Sequence, residues 1–282
     1  MNAPDFEDNE IDRILGAIFD RYGYDFRNYA RSSLKRRMAN YGRKHSGLTV
    51  AEVIQKLTTD RISFRDFLND ITISTTELFR EPNFFVSFRD RVVPYLKTLS
   101  KFKIWHAGCS TGEEVFSLAI LLSEQGLLDR ALIYGTDINT YAVEKAKTGK
   151  VLERVIQRDS KNYATIQGKE TLEKYWIPHE GFRTLVPGLL KKIVFGEHNL
   201  VTDSAFGEMN AICCKNVLIY FGSSIQNRAL ELFHSCLADG GFLCLGSKES
   251  LLGASIEKQF IVVDPRTKIY QKLSRGTINE LE

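Results

Sequence analysis

Apolar positions recur at two different periods along this chain, and the change of period divides it. Ile11, Ile14, Leu15, Ile18, Phe19 and Tyr22 fall at helical spacing and predict a helix that ends at Gly23. A second helix is expected over about 28–44, with only a few apolar positions, among them Leu34, Met38 and Tyr41. Thr49 and Glu52 form the signature of a capping box opening a helix to Leu57. Phe64, Phe67, Leu68 and Ile71 mark a fourth helix. Pro82 suits the first turn of a fifth, whose apolar side is Phe84, Phe85, Phe88, Val92, Val93 and Leu96. Up to residue 100 no segment reads as a convincing strand.

From residue 102 onward short apolar runs alternate with helical patterns. Strands are expected at Ile104–Ala107, Ala131–Asp137, Ile193–Phe195, Met209–Cys214 and Gly241–Gly246, with helices over Val115–Leu122, Ala142–Ala146 and Ile225–Leu237. Phe260–Val263 and Lys268–Tyr270 read as a terminal hairpin across Asp264-Pro265-Arg266-Thr267. Such alternation with an antiparallel end piece fits a doubly wound, seven-strand sheet. The stretch 152–190 breaks the alternation, and with Tyr163, Tyr175, Trp176 and Phe182 it is too aromatic for a disordered loop. A small inserted β-subdomain is the simplest account. The expected class is α/β: an all-helical N-terminal domain over 1–100, then a Rossmann-like sheet over 101–282 carrying that insertion. The last eight residues read as a polar tail.

Composition narrows the class only slightly. A formal net charge of +3 over 282 residues does not mark a nucleic-acid binder. The five cysteines show no CxxC spacing and lie in or beside apolar runs, so buried reduced thiols are expected, with no metal site. The first residues lack the apolar core of a signal peptide, and no run nears the ~20 apolar residues needed to span a bilayer. The expectation is a cytoplasmic protein with no membrane insertion, acting as a monomer. Charge is uneven, however. Arg27, Arg31, Lys35, Arg36, Arg37, Arg43 and Lys44 have no acidic residue among them. A solvated face is one reading of that helix; a docking face for an acidic partner is the other.

The chemistry centres on Ala107-Gly108-Cys109-Ser110-Thr111-Gly112-Glu113-Glu114, between the first strand and its helix. A glycine-bearing loop there is how such sheets build a nucleotide cradle. Two acids at the helix start would repel a pyrophosphate but suit a cationic or hydroxyl-rich ligand. Asp137, ending the second strand, stands where an acid accepts from both ribose hydroxyls. The loop is not GxGxxG, which favours S-adenosylmethionine over a nicotinamide dinucleotide. Lys215-Asn216-Val217-Leu218-Ile219-Tyr220-Phe221 follows the fourth strand, whose carboxyl end belongs at the crevice. Asn216 has amide donors and an acceptor for adenine or for the amino-acid end, and Tyr220 is a hydroxyl donor or a core aromatic.

These motifs, with Thr76-Glu77-Leu78-Phe79-Arg80-Glu81, Thr136-Asp137-Ile138 and His198-Asn199-Leu200, resemble in order and spacing the CheR family of chemotaxis receptor methyltransferases. The resemblance implies transfer of a methyl group from S-adenosylmethionine to glutamate side chains on chemoreceptor cytoplasmic domains, leaving S-adenosylhomocysteine. It implies that Ser74, Thr76 and Arg80 close over the cofactor, with Gly108 in its cradle. Glu114 and Asp137 are then the cofactor acids, and Asn199, Leu200, Lys215 and Asn216 are adenine-side and methionine-side contacts. Arg80 and Tyr220 match the pair beside the transferred methyl. Arg31, Lys35, Arg36, Arg37 and Arg43 become the receptor-docking face. Where the family usually has Arg, Asp and Pro, this chain has Lys215, Asn210 and Val115. The loop Ile177–Gly181 is short for gripping a receptor tail, which points to a peptide-independent member. A same-fold enzyme with another acceptor and a non-catalytic nucleotide-binding module are the rival readings, and a nicotinamide oxidoreductase needs a different glycine spacing.

A glutamate carboxylate is ionised at neutral pH, its reference pKa being about 4.3, so methylating it requires no general base. The histidines are accordingly read as structural, and Arg80 as orienting rather than activating.

Overall fold

The computed structural model describes residues 6–274 except 28, 46 and 73–75. Two compact units emerge: residues 1–74 with 219–228, and residues 75–218 with 229–282.

The first unit is helical. Helices α1 (Asp8–Tyr22), α2 (Arg31–Lys44), α3 (Val50–Thr59) and α4 (Arg61–Ile71) bury most of the residues their periodicity marks; in α1 Ile11, Ile14, Leu15 and Ile18 are buried, and Phe19 and Tyr22 half-buried. The capping box is present: the Glu52 amide donates to Thr49 Oγ1 at 3.3 Å and the Thr49 amide to Glu52 Oε2 at 2.7 Å. Asp60 caps α4 through its side chain alone, accepting from the amides of Ile62 and Ser63. Helix α2 begins at Arg31 rather than near 28.

The second unit opens with α5 (Pro82–Ser87), a π-helical turn at Phe88–Val92 and α6 (Val93–Thr98). Pro94 lacks an amide hydrogen, so a regular α-helix cannot run through it; the wider turn lies just before it. Phe84, Phe85, Phe88, Val92, Val93 and Leu96 pack into the same core as the sheet residues Ile104, Ile133, Ala211 and Phe242. That packing is why the division falls at residue 74 and not at 100.

Next come β1 (Phe102–Ala107), α7 (Glu113–Glu124), β2 (Ala131–Asp137), α8 (Thr140–Lys147), β3 (Lys150–Leu152), α9 (Glu153–Thr165), β4 (Trp176–Pro178), β5 (Phe182–Leu185), α10 (Pro187–Leu190), β6 (Ile193–Glu197), β7 (Met209–Cys214), α11 (Ser223–Cys236), β8 (Leu237–Leu245), β9 (Phe260–Asp264) and β10 (Ile269–Lys272). Seven strands form one sheet in the order β6-β2-β1-β7-β8-β10-β9, and β3-β5-β4 form a small second sheet. Strands β6, β2, β1, β7 and β8 are parallel, and the β9–β10 hairpin adds antiparallel. The fold is thus the expected α/β arrangement: helices first, then a mostly parallel seven-strand sheet. Strand order reverses at β1, with β2 to one side and β7 to the other. Ligand crevices of such sheets lie outside the carboxyl ends of the strands at that point. All five cysteines are free and buried.

Candidate functional site

The carboxyl ends of β1, β2 and β7 bring together Gly108, Glu114, Asp137, Lys215 and Asn216 of the motif residues. After β1 the chain turns sharply: the amides of Gly108 and Cys109 both donate to the Thr136 carbonyl, at 2.7 and 2.8 Å. Gly108 has φ +79°, and a Cβ on it would meet Val217 Cγ2 at 2.4 Å. Only glycine fits this approach between the β1 and β7 loops.

The two acids at the start of α7 do different things. Glu113 is buried and takes a 2.6 Å hydrogen bond from Thr111 Oγ1; burial pushes its carboxyl pKa up. Glu114 faces His106 Nδ1 at 3.1 Å and Lys215 Nζ at 3.3 Å, with its side chain 14% exposed. Burial alone would raise the Glu114 carboxyl, but Lys215, and after it His106, outweigh burial and hold it at about 2. Glu114 is therefore an anion wherever the protein is folded near neutrality.

Lys215 is out of solvent altogether, its side chain 0% exposed. Its ammonium lies 3.4 Å from Glu81 Oε2 and 4.0 Å from the centroid of the Phe84 ring. Any influence of Lys215 on a ligand is transmitted through the acids it faces. Glu81 also accepts from Ser247 Oγ at 2.9 Å, and the sequence reading had not singled it out.

Asp137 is oriented by backbone. The Ser110 amide donates to Oδ2 at 2.8 Å and the Asn139 amide to Oδ1 at 2.9 Å. Burial raises its carboxyl pKa, and those amides work against the rise. An ionised carboxylate has about four acceptor positions, and with the Ile138 amide also acting on this one the backbone still leaves room for a ligand hydroxyl. Asn199 and Leu200 follow β6; Asn199 Oδ1 accepts from the Val201 amide at 2.9 Å, and Leu200 is buried.

The turn Thr76–Arg80 belongs to the same unit. Its backbone is held from two helices: the Leu78 amide donates to Asp159 Oδ2 of α9 at 2.8 Å, and the Phe79 amide to Ser117 Oγ of α7 at 2.8 Å. Phe79 and Glu81 have φ of 53° and 57°, a left-handed conformation that costs a non-glycine residue about 1–3 kcal/mol. Such a turn persists only where its surroundings over-determine it. Ser74 lies outside the described residues.

Tyr220 belongs to the helical unit, where the Arg37 guanidinium sits 4.4 Å over its ring. This corrects the docking face. Arg37 is 4% exposed and donates to the Ile71 carbonyl, so it cannot present charge to a partner. Arg31 pairs with Asp8 and Asp12 of α1 at 2.6 Å each, and Lys35 with Asp8 at 2.7 Å. The helix has no acids of its own, but α1 supplies them. Arg43 donates to Asn40 Oδ1, and Arg36 is exposed.

The site residue that escaped the sequence reading most completely is Glu249. Its carboxylate, 5% exposed, accepts from the amides of Gly246, Asn216, Val217 and Leu218 at 2.6 to 3.0 Å. Its only sequence signal is an acid shortly after a strand end, a weak one. Among the described residues no group of three or more His, Cys, Asp or Glu side chains could hold a metal ion.

An acid pinned ionised, an acid on a strand end and a glycine cradle make a crevice for a nucleoside that bears positive charge. Ser110 Oγ and His106 Nε2, buried without a hydrogen-bond partner, leave polar capacity there for such a ligand. This is the donor set of an S-adenosylmethionine-dependent methyltransferase. The chain belongs to the CheR methyltransferase family: residues 74–269 match the CheR methyltransferase, SAM binding domain, and residues 9–72 the CheR methyltransferase, all-alpha domain. It is similar to Cher3 of Pseudomonas putida, provisionally named a methyltransferase, at 40% identity over 94% of this chain and 97% of that one. It is 29% identical to a chemotaxis protein methyltransferase of Listeria monocytogenes, covering 82% of this chain and 86% of that one. The chemotaxis protein methyltransferase of Escherichia coli is 26% identical over 90% of this chain and 87% of its own.

Proposed function

We propose that this methyltransferase esterifies glutamate side chains on the cytoplasmic domains of chemoreceptors, a reading supported by its likeness to proteins named chemotaxis protein methyltransferase. The observation that carries the reading is the pairing of an ionised Glu114 with a backbone-fixed Asp137 at the switch point of the sheet. S-adenosylmethionine supplies an electrophilic methyl on a sulfonium. Glu114 faces its ammonium or sulfonium, Asp137 its ribose hydroxyls, and Asn199, Leu200 and Asn216 its adenine and amino-acid ends. Lys215 keeps Glu114 charged. Thr76 and Arg80 close over the ligand, and Arg80 orients the acceptor carboxylate.

Attack of a carboxylate on a sulfonium quenches both charges. A strongly cationic environment would stabilise the free carboxylate and slow that step, so alignment and exclusion of water are the protein's main contributions. Chemoreceptor methylation helices are acidic, and α2 offers them exposed Arg36, with Lys35, Arg31 and Arg43 beside it. The short β4–β5 turn, three residues from His179 to Gly181, supports action without a receptor tail peptide. Monomeric action in the cytoplasm completes the proposal; among the described residues no helix is long and apolar enough to cross a membrane.

The test is substitution at Asp137 and Glu114. Asp137→Ala and Glu114→Gln are expected to weaken S-adenosylhomocysteine binding by at least about tenfold each, the loss of one charge-assisted contact. Unchanged affinity in folded variants would contradict the assignment.

A further inference from the structure

Three consecutive amides, those of Asn216, Val217 and Leu218, converge on one carboxylate at the carboxyl end of β7. Asn216 has φ +60°, and this left-handed step turns its amide toward the same side as those of Val217 and Leu218. Successive amides arranged this way form an anion-binding concavity. In a ligand crevice that concavity commonly receives a phosphate or carboxylate of the ligand. Here it is filled by the chain's own Glu249. The same carboxylate takes the Gly246 amide at 2.6 Å, so it ties the exit of β8 to the exit of β7. Gly246 is fitted to this arrangement: a Cβ on it would meet Glu249 Oε2 at 2.6 Å and the Asn216 amide nitrogen at 2.8 Å.

We propose that Glu249 is a positioning residue for the cofactor site, fixing the loop Lys215–Leu218 so that the Asn216 side chain, and not the loop's amides, is what the cofactor meets, while Lys215 stays aimed at the acids it faces. The inference rests on the reading of Lys215 and Asn216 as site residues. It explains why a loop with three aligned amides serves a cationic ligand and not a polyphosphate: the anion that belongs there is built in. It also explains how Lys215 is aimed at Glu114 and Glu81. Its side chain leaves the chain one residue before the braced amides, so slack at Asn216 is slack at Lys215.

Charge and shape can be separated. In Glu249→Gln the single carbonyl oxygen serves either the Gly246 and Asn216 amides, which share Oε2, or those of Val217 and Leu218, which share Oε1. The other two meet an NH2 group. In Gly246→Ala the carboxylate stays but is displaced.

The experiment measures S-adenosylhomocysteine binding by calorimetry, with stoichiometry reporting the folded fraction, and KM for S-adenosylmethionine against kcat. Glu249→Gln and Gly246→Ala are expected to weaken binding about tenfold or more at unchanged stoichiometry, and to raise KM more than they lower kcat. Ser87→Ala removes the 2.7 Å bond from Ser87 Oγ to Asp264 Oδ2, and lowers thermal stability without changing affinity. Asn216→Ala reports the underlying reading directly. If it weakens binding while folded Glu249→Gln and Gly246→Ala bind as the native protein does, the brace is overturned. If none of the three changes affinity, the loop's place in the site is overturned, and the brace with it. Affinity that merely tracks melting temperature across all variants, Ser87→Ala included, also overturns the brace.

Discussion

Glu114 is where residue-scale physics is most quantitative. Its folded pKa, about 2, lies below the ordinary carboxylate range. A carboxyl depressed in the folded state adds stability above its unfolded pKa and loses it as pH falls through the folded value. The contribution from Glu114 should therefore be intact at pH 5 and disappear between about 4.5 and 2, readable as urea midpoints across that range. Lys215→Met leaves a carboxylate that burial drives upward. Removing one partner of a buried pair costs about 3–5 kcal/mol. We expect the variant to be less stable by that order at pH 7, and to bind S-adenosylhomocysteine progressively more weakly as pH drops from 7 to 5. A native-like, flat pH profile would show that Lys215 does not hold Glu114. A helix start and a strand end fix where a side chain goes, so the positions of Glu114 and Asp137 beside the strand ends were legible in the sequence. The sequence could not disclose that Glu113 turns inward to Thr111, or that Glu81 and Glu249 join the site. Those facts depend on what a loop from another strand places beside them.

Among the elements, α2 shows both how far periodicity reaches and where it overrides charge. Leu34, Arg37, Met38 and Tyr41 recur at helical spacing and all are buried. Arg37 stands on that apolar stripe in the sequence itself, so its burial follows from its position and sets it apart from the docking residues. Arg31 and Lys35 were invisible as paired residues because their acids, Asp8 and Asp12, are on another helix. Arg36→Glu is expected to cut receptor methylation severalfold while leaving S-adenosylhomocysteine affinity unchanged; equal loss of both would sink the docking role. Arg37→Glu should instead destabilise the helical unit, by burying a carboxylate beneath Tyr220, with a lowered melting temperature as the readout. The Thr76–Arg80 turn makes a parallel case in the sheet unit. Asp159→Asn and Ser117→Ala each remove or weaken an acceptor for its backbone. Both should lower kcat more than they change folding stability, because the strained Phe79 and Glu81 relax and carry Arg80 with them. The inserted segment, expected as a small β-subdomain, supplies Asp159 from its helix α9.

For the molecule as a whole, the parallel strands and their helices were legible because buried parallel strands are short apolar runs bounded by turns. The unit boundary was not, since Pro82–Thr98 is a helical pattern whichever core it joins; its phenylalanines pack with the sheet. The proposed chemistry needs no proton removed from the acceptor, so the pH profile of kcat should show no catalytic base near neutrality. A bell-shaped profile with a limb near pH 7 would argue for a different acceptor. The most direct test of the central claim is incubation of the protein with methyl-labelled S-adenosylmethionine and chemoreceptor cytoplasmic fragments, with and without their C-terminal tails. The account expects base-labile label on glutamate residues of both fragments. Firm binding of S-adenosylhomocysteine with no label transferred, or label on another residue type, would contradict it.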